Sequence, residues 1–291
     1  MNNLNEIENY LYRMGHTRQT VRSYMYAICN FMNSNPMADS YRYKEVLNYM
    51  TDKVKDYHNS DTKSCILGAV KKYYDYLIDS GLRNDHPCKS LVLNKRRNKD
   101  VIHQDLFTSS ELELLMERDE RYEILRLKNQ TLISILIYQG LTAGEVINLN
   151  LNHIDFDKGT IYIKGSKKIS SRHLELVPRQ YRIIDKYINE IRAKLILTDT
   201  DKLLLGKLGT PITVDDVNYI ISTFKFLFPD RNLNAKTIRM SVISNWLNEK
   251  RIPMEQVQLM AGHKWISATE RYRYAPLEEQ RELINKFHPL N

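Results

Sequence analysis

The stretch 235–274 constrains the fold most strongly, because the apolar residues of its first part recur at the spacing of one helix face. These residues are Ile238, Val242, Ile243, Trp246 and Leu247. Lys236 and Arg239 are three positions apart, so on a helix they lie side by side next to the buried stripe. Such a pair suits a phosphate, since a planar guanidinium donates two parallel hydrogen bonds to it. Taken singly, each charge is more often part of a solvated face.

Two further features follow in this stretch. Gly262 and His263 come after a short amphipathic run, and Tyr272 lies nine residues beyond the histidine. Ser267 and Glu270 have capping-box spacing, which predicts a helix starting there with Tyr272 near its second turn. A tyrosine facing such cations can attack phosphorus while they stabilise the charge on the phosphoryl oxygens. Each feature is weak alone, since the chain has 19 tyrosines; their order favours phosphate chemistry.

The composition is that of a globular protein with a polyanionic partner. A chain of 291 residues, 42% of them hydrophobic, favours two domains. No apolar run approaches a membrane span and the N-terminus lacks a signal-peptide core, which predicts a cytoplasmic protein without a membrane partner. The net charge of +8 favours a polyanionic partner, but charge alone does not choose between nucleic acid, such as double-stranded DNA, and a basic surface with no role. Cys29, Cys65 and Cys88 have no metal-ligand spacing, so we expect reduced thiols and no metal site.

Residues 1–92 predict a small domain made of four helices. Helical patterns cover Leu4–Tyr12, a segment capped by Thr17, Tyr43–Tyr57, and a segment from about Asp61 to Ile78. The loops between them are short and show no strand pattern, as in a helical bundle. Their polar faces carry cations that are either phosphate contacts or a solvated face. These cations are Arg18, Arg22, Lys63, Lys71 and Lys72.

Residues 93–106 predict an exposed basic linker, and 107–291 a second domain. The linker is polar, lacks periodicity and carries cations suited to crossing a duplex backbone. They are Lys95, Arg96, Arg97 and Lys99. Thr108 opens the second domain with a capping box, and 131–138, apolar nearly all round, predicts its central buried helix. A last helix or tail begins at about 277.

From Ile154 the hydrophobic period changes to two. The runs 161–164 and 173–177 predict an antiparallel hairpin with a loose basic loop, whereas 203–206 is too short to assign. Helical patterns return at 181–195 and at 213–228. The predicted fold class is therefore mainly α with a small antiparallel β-sheet.

The order of these motifs resembles the tyrosine recombinase (phage integrase) family. The family's His-x-x-Arg box corresponds to Lys236–Arg239, and its Leu/Ala-Gly-His box to Ala261–His263. The family nucleophile falls on Tyr272, with Tyr274 as the alternative if the register shifts. The resemblance covers roughly 107–274 and implies a mixed α/β integrase-type catalytic domain. The helical domain before it looks like the family's core-binding, SAM-like domain.

Two other family positions are less regular here. The family's hairpin lysine corresponds to Lys164, which precedes a glycine, with Lys167 and Lys168 as nearby competitors. The first family box, Gly-Leu-Arg-x-x-Glu, reads Gly-Leu-Thr-Ala-Gly-Glu over 140–145, so Thr142 replaces the arginine.

The loss of that arginine has consequences for rate. Removing one donor to the transition state commonly costs on the order of 10²–10³ in rate. Threonine gives one neutral hydrogen bond and no charge. Either another cation fills the site, with Arg172 as the first candidate and Lys168 as the second, or the protein retains DNA binding with little or no catalysis.

The resemblance implies site-specific recombination of DNA with no metal and no cofactor. Tyr272 would form a 3′-phosphotyrosyl link, and Lys164 would protonate the departing 5′-oxygen. Glu145 would orient a cation from behind. The phosphate oxygens would be held by Arg239, Lys236 and His263.

The resemblance also implies the assembly and leaves two other functions open. A protein of this family, monomeric when free, would act as a homotetramer on two DNA sites, with 277–291 docking either on a neighbour or on its own chain. Such a recombinase would serve a mobile element as an integrase, invertase or transposon recombinase. The alternatives are a DNA-binding protein of the same family without activity, and a relaxing enzyme like a type IB topoisomerase.

Overall fold

The chain forms two compact units, 1–99 and 100–291. The computed structural model describes residues 2–53, 57, 60–93, 105–118, 120, 122–167, 169–197, 199–206 and 208–273. Within these ranges no helix is long and apolar enough to span a membrane. Several predictions lie outside the described residues: Lys95, Arg96, Arg97 and Lys99 of the linker, Lys168, Tyr274 and the helix from about 277. The domain boundaries at 92 and 106 stay predictions.

The described part of the first unit is helical. Its α-helices are α1 (Asn2–Arg13), α2 (Arg18–Ser34), α3 (Tyr43–Asn48) and α4 (Ser60–Asp79). Thr17 caps α2 as predicted, because its hydroxyl accepts a hydrogen bond from the Thr20 amide. The third helix is shorter than predicted, since it passes into a π-helical turn over Tyr49–Lys53.

Aromatic rings fill the core of this unit. Phe31 is fully buried, and its ring meets Tyr49, Tyr73 and Tyr74 at centroid separations of 4.7, 6.1 and 6.2 Å. Buried tyrosines need partners for their hydroxyls. Tyr74 donates to the Ala38 carbonyl at 2.8 Å, for example. Much of the chain's tyrosine content is therefore structural.

The second unit combines helices with a small sheet. The helices are α5 (Ser109–Glu113), α6 (Glu123–Gln139), α7 (Ala143–Val146), α8 (Pro178–Lys186), α9 (Ala193–Leu195), α10 (Val214–Ser222), α11 (Ala235–Asn248), α12 (Met254–Ala261) and α13 (Ser267–Glu270). The strands are β1 (Ile154–Asp155), β2 (Thr160–Ile163) and β3 (Arg172–Glu175). The mainly α fold class with a small antiparallel sheet is confirmed.

Helix α6 is the centre of this unit's core, as predicted from its apolar sequence. It ends at Gly140, whose φ of 58° is left-handed. A Cβ at Gly140 would lie 3.0 Å from the Val242 side chain of α11, so glycine lets the two helices approach closely.

The three strands form an antiparallel sheet in the order β1-β2-β3. Ile161 pairs with Leu174 and Ile163 with Arg172, so these side chains share one face of the sheet. All four are buried. The predicted hairpin is therefore present, and Arg172 belongs to its inward face.

Two helix predictions were wrong in extent. Helix α10 ends at Ser222, and a separate 3₁₀ turn follows over Lys225–Leu227. Helix α13 has only four residues, and Ile266, not Ser267, is its N-cap. Ile266 already has helical φ and ψ of −61° and −34°, which places Ser267 inside the helix, where its hydroxyl does not cap it. Tyr272 consequently lies in a turn after α13, bonded through its amide to the Thr269 carbonyl.

Candidate active site

An open cleft of about 830 Å³ lies in the second unit beside α7, α10 and α11. It is lined by Lys236 and Arg239 from α11, by Thr142 at the start of α7, and by Tyr272. Asn218 and Ser222 of α10 form part of its wall. The structure therefore brings three of the predicted catalytic residues to one cleft.

The N-terminus of α11 fixes the two cations of the His-x-x-Arg-like box. Asn234 caps the helix, accepting from the Lys236 and Thr237 amides at 2.9 and 3.0 Å. One turn along the helix, Lys236 is exposed and Arg239 is only 8% exposed. The same helix thus presents one mobile and one fixed cation.

The Arg239 guanidinium is held by the ends of two helices. It donates to the Gly140 carbonyl, which ends α6, and to the Ala261 carbonyl, which ends α12, both at 2.6 Å. Carbonyls at helix C-termini carry partial negative charge and attract a cation. Burial lowers the pKa of Arg239, and nearby Glu145 opposes that shift. An arginine has five N–H donors, so these two bonds leave others for a ligand.

Glu145 lies between two arginines. Its carboxylate meets Arg172 at 2.7 Å and Arg239 at 3.7 Å. It also accepts from the amide and hydroxyl of Thr142, at 2.8 and 2.9 Å. Burial acts to raise the pKa of Glu145, but the hydrogen bond and charge of Arg172, together with the Thr142 amide and the charge of Arg239, hold the pKa below its usual value.

Thr142, which replaces the first-box arginine, acts as a helix cap. Its hydroxyl accepts from the Glu145 amide at 3.2 Å and donates to the Glu145 carboxylate. The bond from the Glu145 amide to this hydroxyl and the bond from the Thr142 amide to the Glu145 carboxylate form a capping box at the start of α7. The hydroxyl proton of Thr142 is therefore already used in the bond to Glu145 and is not available to a phosphate.

Arg172 is a buried cation with unused donors. Its residue is 7% exposed, and one terminal nitrogen, Nη1, donates to Glu145. Among the described residues, its Nε and Nη2 have no hydrogen-bond partner. Buried N–H groups are rarely left unpaired, so these two point to an anion that the site is built to receive.

The returning arm of the hairpin is joined to the loop that carries His263. The Ser170 amide donates to the Gly262 carbonyl at 2.8 Å, and Ile169 forms a β-bridge with His263. Gly262 has a φ of 71°, and a Cβ there would lie 2.8 Å from Arg172 Nη1. Glycine therefore lets the histidine loop lie directly against Arg172.

His263 is neutral and stacked on Tyr272. The two rings are 6.1 Å apart at an interplanar angle of 17°. His263 Nδ1 lies 2.8 Å from the hydroxyl of Thr269, which is fully buried. We assign the hydroxyl as donor, which leaves the imidazole proton on Nε2. Burial, together with the charges of Arg239 and Arg172, lowers the pKa of His263 to about 4.

Tyr272 is half-buried and protonated in the free protein. Burial raises its pKa, and the charges of Arg239 and Arg271 act in the opposite direction. Its backbone carbonyl accepts a hydrogen bond from Asn248 Nδ2 at 2.8 Å. The sequence analysis did not select Asn248 or Thr269, because neither belongs to a local motif. Their partners, Tyr272 and His263, could not be predicted from neighbouring residues.

Lys164 is not part of this cluster. It follows β2 directly and is exposed. Burial lowers the pKa of His153, and the charges of Lys202 and Lys164 add to that effect. Lys164 therefore lies near His153 and Lys202. No described contact joins it to Arg239, His263 or Tyr272. Lys167, on the same loop, is also exposed.

The predicted cations of the first unit divide into two groups. Arg18 and Arg22 are exposed on α2, and Lys63 lies half-buried on α4. Lys72 pairs with an aspartate at 2.7 Å, and Lys71 donates to a backbone carbonyl at 2.9 Å. Only the first group borders the groove between α2 and α4, of about 550 Å³, through Arg22. Polar and aromatic side chains that sequence reasoning did not select also line it: Gln19, Ser23, Tyr26 and Asn30.

A tyrosine stacked on a neutral histidine, in a cleft with one buried arginine and an exposed lysine, is an arrangement suited to phosphoryl transfer. Residues 105–279, more than half of the chain, match the model of the phage integrase family. The chain therefore belongs to that family, the tyrosine recombinases.

Individual relatives are distant but match along most of their length. The tyrosine recombinase XerC of Anoxybacillus flavithermus is 25% identical over 251 residues, covering 85% of this chain and 82% of that protein. The XerC of Staphylococcus epidermidis is 23% identical, covering 97% and 96%. Among solved structures, the XerH site-specific recombinase bound to palindromic difH substrate, in a post-cleavage complex, superimposes with a TM-score of 0.70. It is 15% identical and covers 91% of this chain and 79% of that one, which supports the fold.

Proposed function

We propose that this protein is a site-specific DNA recombinase of the integrase, invertase or transposon type, which cuts and rejoins duplex DNA through a 3′-phosphotyrosyl intermediate. One observation carries the proposal: Tyr272 shares a single cleft with Lys236 and Arg239 and stacks on neutral His263.

The roles follow from charge and exposure. Arg239 is rigidly held and binds a non-bridging phosphate oxygen through its remaining N–H groups. His263 donates a neutral hydrogen bond from Nε2, because its low pKa keeps it uncharged at neutral pH. Lys236, exposed at the mouth of the cleft, adds a mobile charge. Tyr272 must lose its proton as its oxygen bonds to phosphorus, since its pKa is raised, and water in the open cleft accepts that proton.

Arg172 supplies the charge that the first box lacks. Thr142 has no charge and its hydroxyl serves Glu145. Arg172 lies against the same carboxylate and keeps two N–H donors unpaired. Glu145 thus orients Arg172 from behind, and the free edge of the guanidinium receives the phosphate.

Lys164 acts as the general acid once DNA is bound. Its place on an exposed hairpin end, outside the cluster of the free protein, means that the hairpin must approach the departing 5′-oxygen first. The bond energy stays in the phosphotyrosine, so a 5′-hydroxyl of a partner strand reverses the step without a cofactor.

The assembly is part of the proposal. Exchange between two duplexes needs two active protomers on each, which favours a homotetramer on DNA and a smaller species in its absence. Residues 1–92 form the core-binding domain, which grips DNA through Arg18 and Arg22, and 107–291 the catalytic domain. Light scattering with and without a duplex tests the stoichiometry. The proposal includes a cytoplasmic location.

The decisive experiment is a covalent-adduct assay. The protein is incubated with nicked suicide duplexes that carry candidate sites, and a denaturing gel reports the protein–DNA adduct. We expect an adduct that disappears in Tyr272→Phe. Gel-shift binding without any adduct would favour the second candidate, a DNA-binding protein that does not cut, for which the replacement at Thr142 is the supporting observation.

The role of Arg172 has a matched control in Arg192. Both are 7% exposed, but Arg192 bonds to the carbonyls of Thr200 and Lys202 instead of Glu145. Arg172→Ala is expected to slow adduct formation on the order of 10²–10³-fold. Arg192→Ala is expected to lower stability without that loss. Equal activity of the two variants would refute the proposal that Arg172 takes the place of the first-box arginine.

A further inference from the structure

The backbone of Tyr272 is held by a side chain that belongs to no family motif. Asn248, at the end of α11, donates from Nδ2 to the Tyr272 carbonyl at 2.8 Å. The second N–H of this amide is shared by two oxygens of Ser244, one turn earlier, whose carbonyl and hydroxyl lie 2.9 and 3.0 Å from Nδ2. The Ser244 hydroxyl also reaches the Tyr272 carbonyl at 3.5 Å.

This contact matters because, among the described residues, the other hydrogen bonds of the Tyr272 backbone are one within its own turn and a long one to Ser244. Helix α13 ends two residues earlier, at Glu270, and the Tyr272 amide bonds only within the same turn, to Thr269. Asn248 is the contact that ties this turn to a long helix. The same helix carries Lys236 and Arg239 at its other end. One rigid helix therefore fixes the positions of both the phosphate-binding cations and the nucleophile.

We propose that Asn248, supported by Ser244, is the positioning residue that sets the distance between the Tyr272 oxygen and the phosphate held by Arg239. The inference rests on the proposed function, because it assigns Tyr272 as the nucleophile. Reactive atoms must be held within a few tenths of an ångström, and a misplacement of about 1 Å can cost about a hundredfold in rate.

The chain provides a matched control on the same helix. Asn245 also donates an amide hydrogen bond to a backbone carbonyl, that of Phe107, at 3.0 Å. It is 7% exposed, and no described hydrogen bond joins its side chain to the turn that carries Tyr272. Asn245→Ala therefore removes an equivalent bond and leaves the nucleophile in place.

The kinetic test compares adduct formation at saturating DNA, at a temperature where every variant is folded. Asn248→Ala is expected to slow the single-turnover rate by about tenfold to a hundredfold with unchanged DNA affinity. Asn245→Ala is expected to keep the wild-type rate. Asn248→Gln, which retains the amide donor, is expected to recover part of the loss. Equal rates in Asn248→Ala and wild type, or equal losses in the two alanine variants, would overturn the proposal.

A modified substrate separates positioning from proton transfer. A 5′-bridging phosphorothiolate leaves as a thiolate and needs no general acid. It is expected to restore the rate of Lys164→Ala, whereas Asn248→Ala stays slow because its nucleophile is still misplaced. Rescue of Asn248→Ala by sulfur would contradict the positioning role.

Hydrogen exchange on the free protein tests the contact without catalysis. Asn248→Ala is expected to speed exchange in the peptide covering 267–273, and Asn245→Ala is expected to leave that peptide unchanged. Unchanged exchange in Asn248→Ala would refute the proposal even in an inactive protein. If instead the wild type forms no Tyr272-dependent adduct but exchange responds as expected, the recombinase proposal fails and the structural contact stands.

Discussion

Gly262→Ala tests whether the histidine loop must lie against Arg172. The added Cβ would sit 2.8 Å from Arg172 Nη1, 2.8 Å from the Ile169 side chain and 2.9 Å from the Ser170 carbonyl. The backbone φ of 71° adds the strain of a left-handed L-residue, roughly 1–2 kcal/mol. Contacts below 3 Å in a packed site add about 1–3 kcal/mol. We expect a total loss of about 2–5 kcal/mol.

Gly159→Ala is the matched control for this variant. Gly159 lies in the same unit with a φ of 63°, and a Cβ there would meet nothing within 4 Å. Gly159→Ala therefore measures the backbone strain alone. Its loss of about 1–2 kcal/mol in the free energy of unfolding is subtracted from the loss in Gly262→Ala. Urea unfolding measures both variants, and the adduct assay measures the consequence for the site.

The two variants should differ in both measurements. Gly262→Ala is expected to be less stable than Gly159→Ala and, where both are folded, to form adduct at least about tenfold more slowly, because Arg172 and His263 are displaced together. Equal stability and equal activity of the two variants would refute the argument that close approach at Gly262 builds the site.

Three further predictions concern charge. Glu145→Gln should lower the free energy of unfolding by about 3–5 kcal/mol in urea titrations, because it leaves two buried guanidiniums without their shared anion. The depressed pKa of His263, about 4, means that the unfolded chain binds a proton first as pH falls from 6.5. Its contribution to stability should therefore decline between pH 6.5 and 4 in wild type, and that decline should be smaller in His263→Ala. Arg22→Ala should weaken DNA binding and reduce its salt dependence more than Lys72→Ala, since Lys72 is already paired.

The elements of the site that sequence could predict are those set by local spacing. Lys236 and Arg239 lie on one helix face because they are three residues apart, and that geometry holds wherever α11 packs. The hairpin followed from its period of two, and the Thr108 cap from its box. These patterns depend on a few neighbouring residues, which the sequence displays directly.

The elements that sequence could not predict depend on distant contacts. Arg172 was a candidate by its proximity to the hairpin loop, but its bond to Glu145 and the pairing of Ser170 with Gly262 exist only in the folded unit. Ser267 shows how a local pattern misleads. Its capping-box spacing is real, yet Ile266 already takes up helical geometry and moves the helix start by one residue.

Under the proposed mechanism, the charges of the cleft favour the transition state over the ground state. Arg239, Arg172, Lys236 and Lys225 are four cations against one carboxylate, Glu145, and neutral His263 adds none, which leaves three positive charges. A phosphodiester in the ground state carries one negative charge. When the tyrosine oxygen attacks and its proton departs, the five-coordinate phosphorus and its oxygens carry a second. Because the positive charge of the cleft exceeds the single negative charge of the ground state, it gains more from the transition state, and loss of one cation should slow the chemical step more than it weakens DNA binding.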